Sequence, residues 1–173
     1  NSGTEANEAA IKISRLTGKK RIVSAHGSFH GRTMGSLSIT GQSDKRDPFK
    51  PLLKSISFIK YNDVRGLQRS VNRKTAMVIL EPIQGERGVI PASVDFLQAA
   101  REITAKYSSL LAIDAVQTGM GRTGEWFGFE HSGITPDLIT LAKGLGGGLP
   151  LGAVIINSEK HFNAGEHGTT FGG

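Results

Sequence analysis

LITLAKGLGGGLP, residues 138–150, decides how this chain folds. The run Leu138-Ile139-Thr140-Leu141-Ala142 is apolar without alternation. Such a run suits a strand dry on both faces, inside a parallel sheet, rather than one with a wet side. It delivers a single lysine, Lys143, directly into a loop containing Gly144, Gly146, Gly147 and Gly148. A charged amine at the end of a buried strand, beside backbone that lets another group approach closely, is a pattern of sites rather than of cores.

Five more short apolar runs read the same way: Arg21–Ala25, Ser55–Ile59, Ala76–Leu80, Leu110–Ile113 and Ala153–Ile156. Helical periodicity lies between them. Ala6, Ala9, Ala10, Ile13 and Leu16 share one face and Gly18 follows as a stop, while Phe96, Leu97, Ala100, Ile103 and Tyr107 form a second stripe. Strands alternating with helices predict an α/β domain with a mostly parallel sheet flanked by helices. At 173 residues and 38% hydrophobic, the chain has the material for one core. It has no cysteine, which excludes disulfides and thiolate metal sites and fits a reducing, cytoplasmic setting. No apolar stretch has the length of a bilayer span, and the start does not read as a signal peptide. The net charge of +6 is spread along the chain and aromatics are only 6%, so nucleic acid is not the expected partner; small anionic substrates suit the charge better.

Ligands of open α/β sheets bind beyond the carboxyl ends of the strands. Here those ends carry Glu81-Pro-Ile-Gln-Gly-Glu86, Asp114-Ala-Val-Gln-Thr-Gly119 and Ala142-Lys143-Gly144. A half-buried Lys143 with a lowered pKa is a candidate Schiff-base nucleophile toward an aldehyde. Asp114, directly after Leu-Leu-Ala-Ile, needs a cationic partner at that depth. A protonated heterocycle nitrogen would serve, and lysine plus aspartate is the pairing that pyridoxal phosphate (PLP) requires. Ser2-Gly3-Thr4 ahead of an amphipathic helix offers free amides and a helix dipole to a phosphate.

Six segments in order, NSGTEANEAAIK (1–12), SFHGRTMG (28–35), EPIQGE (81–86), DAVQTGMGRTG (114–124), LAKGLGGGLPLGA (141–153) and HGTTFGG (167–173), resemble the class III PLP-dependent aminotransferases over nearly the whole chain. The resemblance implies the large PLP-binding domain of fold type I, here residues 1–173 as a truncated fragment, with an N-terminal segment and a C-terminal small domain missing. It implies that Lys143 carries the cofactor, that Asp114 faces the ring nitrogen, that Phe29 and Val116 cover the two ring faces and that Gln117 lies near the ring hydroxyl. Gly3 and Thr4 would seat the phosphate, joined by Thr170 from the neighbouring subunit of a homodimer with shared sites. Arg32 would hold a substrate carboxylate, and Glu86 would gate the arginine that holds the second one, while Glu81 reads as structural or as a support behind the contacting residues. The implied reaction moves the amino group of an N-acetylornithine-like donor to 2-oxoglutarate in arginine biosynthesis. Ornithine, 4-aminobutyrate, lysine precursors and a catalytically silent fragment are the alternatives.

Two positions depart from the family pattern. Ala115 stands where Glu is common, and Arg87 stands beside Glu86 where a small residue is usual, as a cation able to pair with it. Other signals are weaker. Gly119-Met-Gly-Arg-Thr-Gly124 fits G-x-G-x-x-G, but Glu125-Trp-Phe-Gly-Phe129 after it is no clean helix, so a loop beside the site or at an interface is expected. Trp126 and Phe127 are expected to be packing or interface residues rather than ligand contacts. His26 and His30 are spaced like a metal pair, but no third ligand is evident and no metal is expected.

Overall fold

The computed structural model describes residues 1–168. Its core is a six-stranded sheet of β1 (Arg21–Ala25), β2 (Ile56–Ile59), β3 (Thr75–Leu80), β6 (Leu110–Asp114), β7 (Leu138–Leu141) and β8 (Ala153–Ile156), in the order β2-β1-β3-β6-β7-β8. The first five run parallel and β8 returns antiparallel against β7. A separate two-stranded ladder joins β4 (Ile83–Gln84) to β5 (Ile90–Pro91). All six residues of β3 are buried, as the unbroken apolar run predicts.

Helices cover both faces. On one, α1 (Gly3–Arg15) packs Ala10, Ile11 and Ile13 against Ile22, Met77, Ile79, Ala112 and Leu138. On the other, α4 (Val64–Ser70) and α5 (Val94–Lys106) bring Leu67, Phe96, Leu97 and Ala100 onto Val23, Val78, Leu80, Leu111 and Ile113. Each of these three helices starts on a side-chain cap: Ser2 accepts from the Glu5 amide, Asp63 from Gly66 and Ser93 from Phe96. Short α2 (Met34–Ile39) and α3 (Ser43–Arg46) follow β1.

Two sequence expectations change and one element was missed. Ser55 lies outside β2, because its φ of 67° is left-handed and cannot start a strand. Leu16 is 39% exposed, because α1 ends at Arg15 and Leu16 is its C-cap. The β4–β5 ladder went unread, since two residues per strand give no period. The strand order reverses at β1: the chain moves out to β2 and returns to β3 on the other side. That reversal opens a crevice beyond the carboxyl ends of β1 and β3.

Candidate active site

A cavity of about 500 Å³ occupies this crevice and extends across the ends of β6 and β7. Each adjoining strand end contributes to its wall: Phe29, His30 and Arg32 follow β1, Glu81 and Ile83 follow β3, Asp114, Val116 and Gln117 come with β6, and Lys143 follows β7. Gly3, Thr4 and Asn7 of α1 close one side. Eight residues expected at the site, Gly3, Thr4, Phe29, Arg32, Asp114, Val116, Gln117 and Lys143, therefore line one space although up to 140 positions separate them.

Asp114 is buried and held by three donors. Its Oδ2 accepts from Asn7 Nδ2 at 2.8 Å and faces His30 Nδ1 at 2.7 Å, and its Oδ1 accepts the Val116 amide at 3.1 Å. Asn7 also donates to the His30 carbonyl at 2.7 Å, which ties α1 to the segment after β1. The protein thus already places an imidazole against Asp114. Burial alone would lower the His30 pKa, but the hydrogen bond and charge of Asp114 outweigh it and raise it. His30 Nε2 and Asn7 Oδ1 are buried with no partner among the described residues. The pairing of His30 with His26 does not form: His30 turns inward to Asp114, while His26 lies 5.7 Å from the Phe58 ring.

Lys143 is exposed, not half-buried as its strand-end position suggests. It opens a 3₁₀ turn, Lys143–Gly146, and its φ of 48° lies in the left-handed region. A lysine held there is strained backbone, a feature concentrated at functional sites. The residue borders a second cavity of about 500 Å³, and Ile83 and Gln117 line both spaces. Lys143 therefore stands at the wall between two adjoining chambers.

At the opposite wall, a Cβ on Gly3 would lie 2.8 Å from both methyl carbons of Val116, so only glycine fits between the start of α1 and that side chain. By position, the Gly3 and Thr4 amides in the first turn of α1 have no acceptor within the helix. Thr4 Oγ1 lies 2.9 Å from Thr33 Oγ1. Glu86 and Arg87 do not pair with each other. Glu86 is outside the lining and pairs with Lys45 Nζ at 3.0 Å. Arg87 lies over Gly27 instead. Lys45 Nζ lies 4.9 Å from the Phe29 ring centre and Arg32 5.6 Å from it, so two cations border that ring. Thr170 lies outside the described residues.

Glu81 is deeper than a supporting residue needs to be. It is 7% exposed, its Oε2 accepts the Phe29 amide at 3.0 Å, and the Tyr61 hydroxyl donates to its carbonyl at 2.6 Å. Burial pushes its carboxyl up to about 7. The G-x-G-x-x-G segment forms a tight loop closed by a bridge between Gly119 and Phe127, with Phe127 stacked on Phe129 and Trp126 67% exposed. A basic groove of about 650 Å³ at the amino ends of β1–β3, lined by Lys19, Lys20, Arg21, Arg73 and Lys74, holds no carboxylate or thiol in its lining.

Asn7 and His30 are the site residues that sequence reasoning missed. The available signal was a lone Asn on the buried face of α1, among Ala6, Ala10 and Ile11.

The acetylornithine aminotransferase of Corynebacterium efficiens is 56% identical over 178 residues, which cover all of this chain and 44% of that protein. The acetylornithine aminotransferase of Mycolicibacterium smegmatis is 55% identical over 175 residues, covering all of this chain and 45% of that protein. The chain thus spans less than half the length of these relatives. The structure superposes with a TM-score of 0.93 on the ornithine aminotransferase of Toxoplasma gondii, at 31% identity over 99% of this chain and 44% of that one; that protein is described with partial occupancy of PLP at its active site. Residues 1–173 match the family described as aminotransferase class-III throughout, and the chain belongs to that family.

Proposed function

We propose that this chain is the cofactor-binding part of an aminotransferase that moves an amino group from an N-acetylornithine-like donor to 2-oxoglutarate with PLP, in arginine biosynthesis. The observation that carries the reading is one cavity with Lys143 and the buried Asp114 at its wall and the start of α1 at its edge. These residues fit PLP. Asp114 is held as a hydrogen-bond acceptor, the start of α1 offers amides to a phosphate, and Phe29 and Val116 supply apolar walls. When bound, the cofactor supplies an aldehyde for the Lys143 amine and an electron-withdrawing ring.

The residues then divide the work. Lys143, which lines both chambers, would move a proton at a substrate carbon, as base and then as acid. Asp114, fixed by Asn7 and His30, keeps a ring nitrogen protonated. Arg32, in the lining, offers a guanidinium to a substrate carboxylate. The donor is read from the names of the two relatives at 55–56% identity. Exposed Leu149 and Leu151 in the cavity lining support a homodimer with shared sites, because large apolar side chains at a cavity favour cover by a partner. No helix among the described residues is long and apolar enough to cross a membrane, and a chain without cysteine suits the cytoplasm.

The experiment is to incubate the purified protein with PLP, reduce with borohydride and map the modified lysine by mass spectrometry, with Lys143→Ala as control. Selective modification of Lys143 is expected. Scattered labelling, or equal labelling of the variant, overturns the reading. With labelling established, amino transfer from N-acetylornithine and from ornithine to 2-oxoglutarate ranks the two donors.

A further inference from the structure

Glu81 and Asp114 are neighbouring carboxylates. Leu80 pairs with Ile113 in the β3–β6 register, so the next residue on each strand is an acid at the same edge. Two buried carboxylates at adjacent positions repel each other unless a positive charge lies between them. The imidazole of His30 enters from beyond β1 on the other side of β3 and meets Asp114 through Nδ1 at 2.7 Å. Glu81 also grips the segment that carries His30, through the amide of the preceding residue, Phe29.

We propose that Glu81 is a positioning residue of the site: its carboxylate fixes the Phe29 wall through the backbone amide and supplies the second negative charge that keeps His30 protonated beside Asp114. The charged and titratable groups that face Glu81 are His30 from beyond β1, Asp114 from β6, Lys143 from beyond β7 and Tyr61 from beyond β2. His30 and Lys143 favour the ionised Glu81, and Asp114 opposes it. The raised pKa of His30 is supported first by Asp114 and then by Glu81. A protonated His30 donates to Asp114 through Nδ1 and takes no proton from it. Asp114 then remains a carboxylate, the form that accepts a ring N–H; this consequence rests on the cavity being the cofactor seat proposed above.

Hydrogen exchange on the cofactor-free protein tests the inference directly. Exchange at the imidazole C2 position, followed by mass spectrometry across pH, gives the titration midpoint of His30, and backbone exchange reports the Phe29 amide. Glu81→Gln keeps an acceptor for that amide and removes the charge, whereas Glu81→Ala removes both. In both variants the His30 midpoint is expected to fall by about one pH unit. Only in Glu81→Ala does Phe29 exchange speed up, by about tenfold. An unchanged His30 midpoint in Glu81→Gln overturns the charge role, and wild-type Phe29 exchange in Glu81→Ala overturns the wall role. The cofactor is absent from both readouts. A protein with the expected shifts but no labelling at Lys143 would therefore lose the proposed function and keep this inference.

Discussion

Glu81 carries a pH dependence of stability opposite in sign to that of most carboxylates. Burial, the largest influence, and the Asp114 charge push its carboxyl from 4.5 to about 7, against the opposing effects of His30, the Phe29 amide and Lys143. In the unfolded chain the group titrates near 4.5, so between 4.5 and about 7 the folded protein holds a proton that the unfolded chain has released. The stability contributed by this group is fully present below pH 4.5 and is lost as pH rises through about 7. The gap of about 2.5 pH units, at about 1.36 kcal/mol each, amounts to about 3 kcal/mol. Glu81→Gln removes the titration while keeping size and shape. Urea unfolding of the two proteins at several pH values between 5 and 8 reads the difference. The variant is expected to gain on the wild type by about 2–3 kcal/mol across that range. His30 takes up part of the change, because it releases its proton more readily once Glu81 is neutral, so the figure is an upper bound. A stability difference that stays constant from pH 5 to 8 refutes the burial argument for Glu81.

Two further substitutions probe the strained backbone and the tight approach. Lys143→Gly removes the amine and relieves a left-handed φ of 48°. It is expected to be about 1 kcal/mol more stable than Lys143→Ala in urea unfolding, while neither variant is labelled by PLP and borohydride; equal stabilities would show that the backbone there is unstrained. Gly3→Ala puts a Cβ 2.8 Å from both Val116 methyl carbons and so pushes on a wall of the cavity. Overpacking of about 1–3 kcal/mol, offset by up to about 1 kcal/mol of helix propensity, is expected to appear mainly as weaker PLP binding in a fluorescence titration, and unchanged affinity would place the cofactor elsewhere.

The central strands were legible because parallel strands inside a sheet are dry on both faces, whereas β8, read with them, pairs antiparallel at the edge and leaves Ile155 42% exposed. The limits of β1, β7 and β8 coincide with their apolar runs, and β2, β3 and β6 differ by one residue at one end. Lys143 and Asp114 were legible for the same reason, since a charge that ends an apolar run must emerge at a sheet edge. The contacts of Asp114 were not. Asn7 and His30 lie 107 and 84 residues from it, and a helical period says which face of α1 is buried without saying against which strand end. The orientation of Glu86 was hidden differently. Its neighbour Arg87 looked like its partner, but Lys45, 41 residues away on α3, reaches it instead.

The reversal of strand order explains why these groups act together. Sheet hydrogen bonds between β1 and β3 fix the spacing of the strands but end before the crevice begins: the recorded register of that pair closes at Val23 and Val78. Beyond it side chains join the two segments: the Phe29 amide donates to Glu81 at 3.0 Å, and Gln84 Nε2 donates to the His26 carbonyl at 3.1 Å. On the far side, Asn7 and His30 bind Asp114 and close α1 onto the same edge. Side-chain hydrogen bonds, those of Glu81 and Asp114 among them, thus tie the walls of the cavity together where the backbone ladder has ended. A carboxylate accepts hydrogen bonds most strongly when charged. Protonation of Glu81 near neutral pH therefore weakens the link across the crevice and the support of His30 at the same time, which couples the shape of this site to its charge.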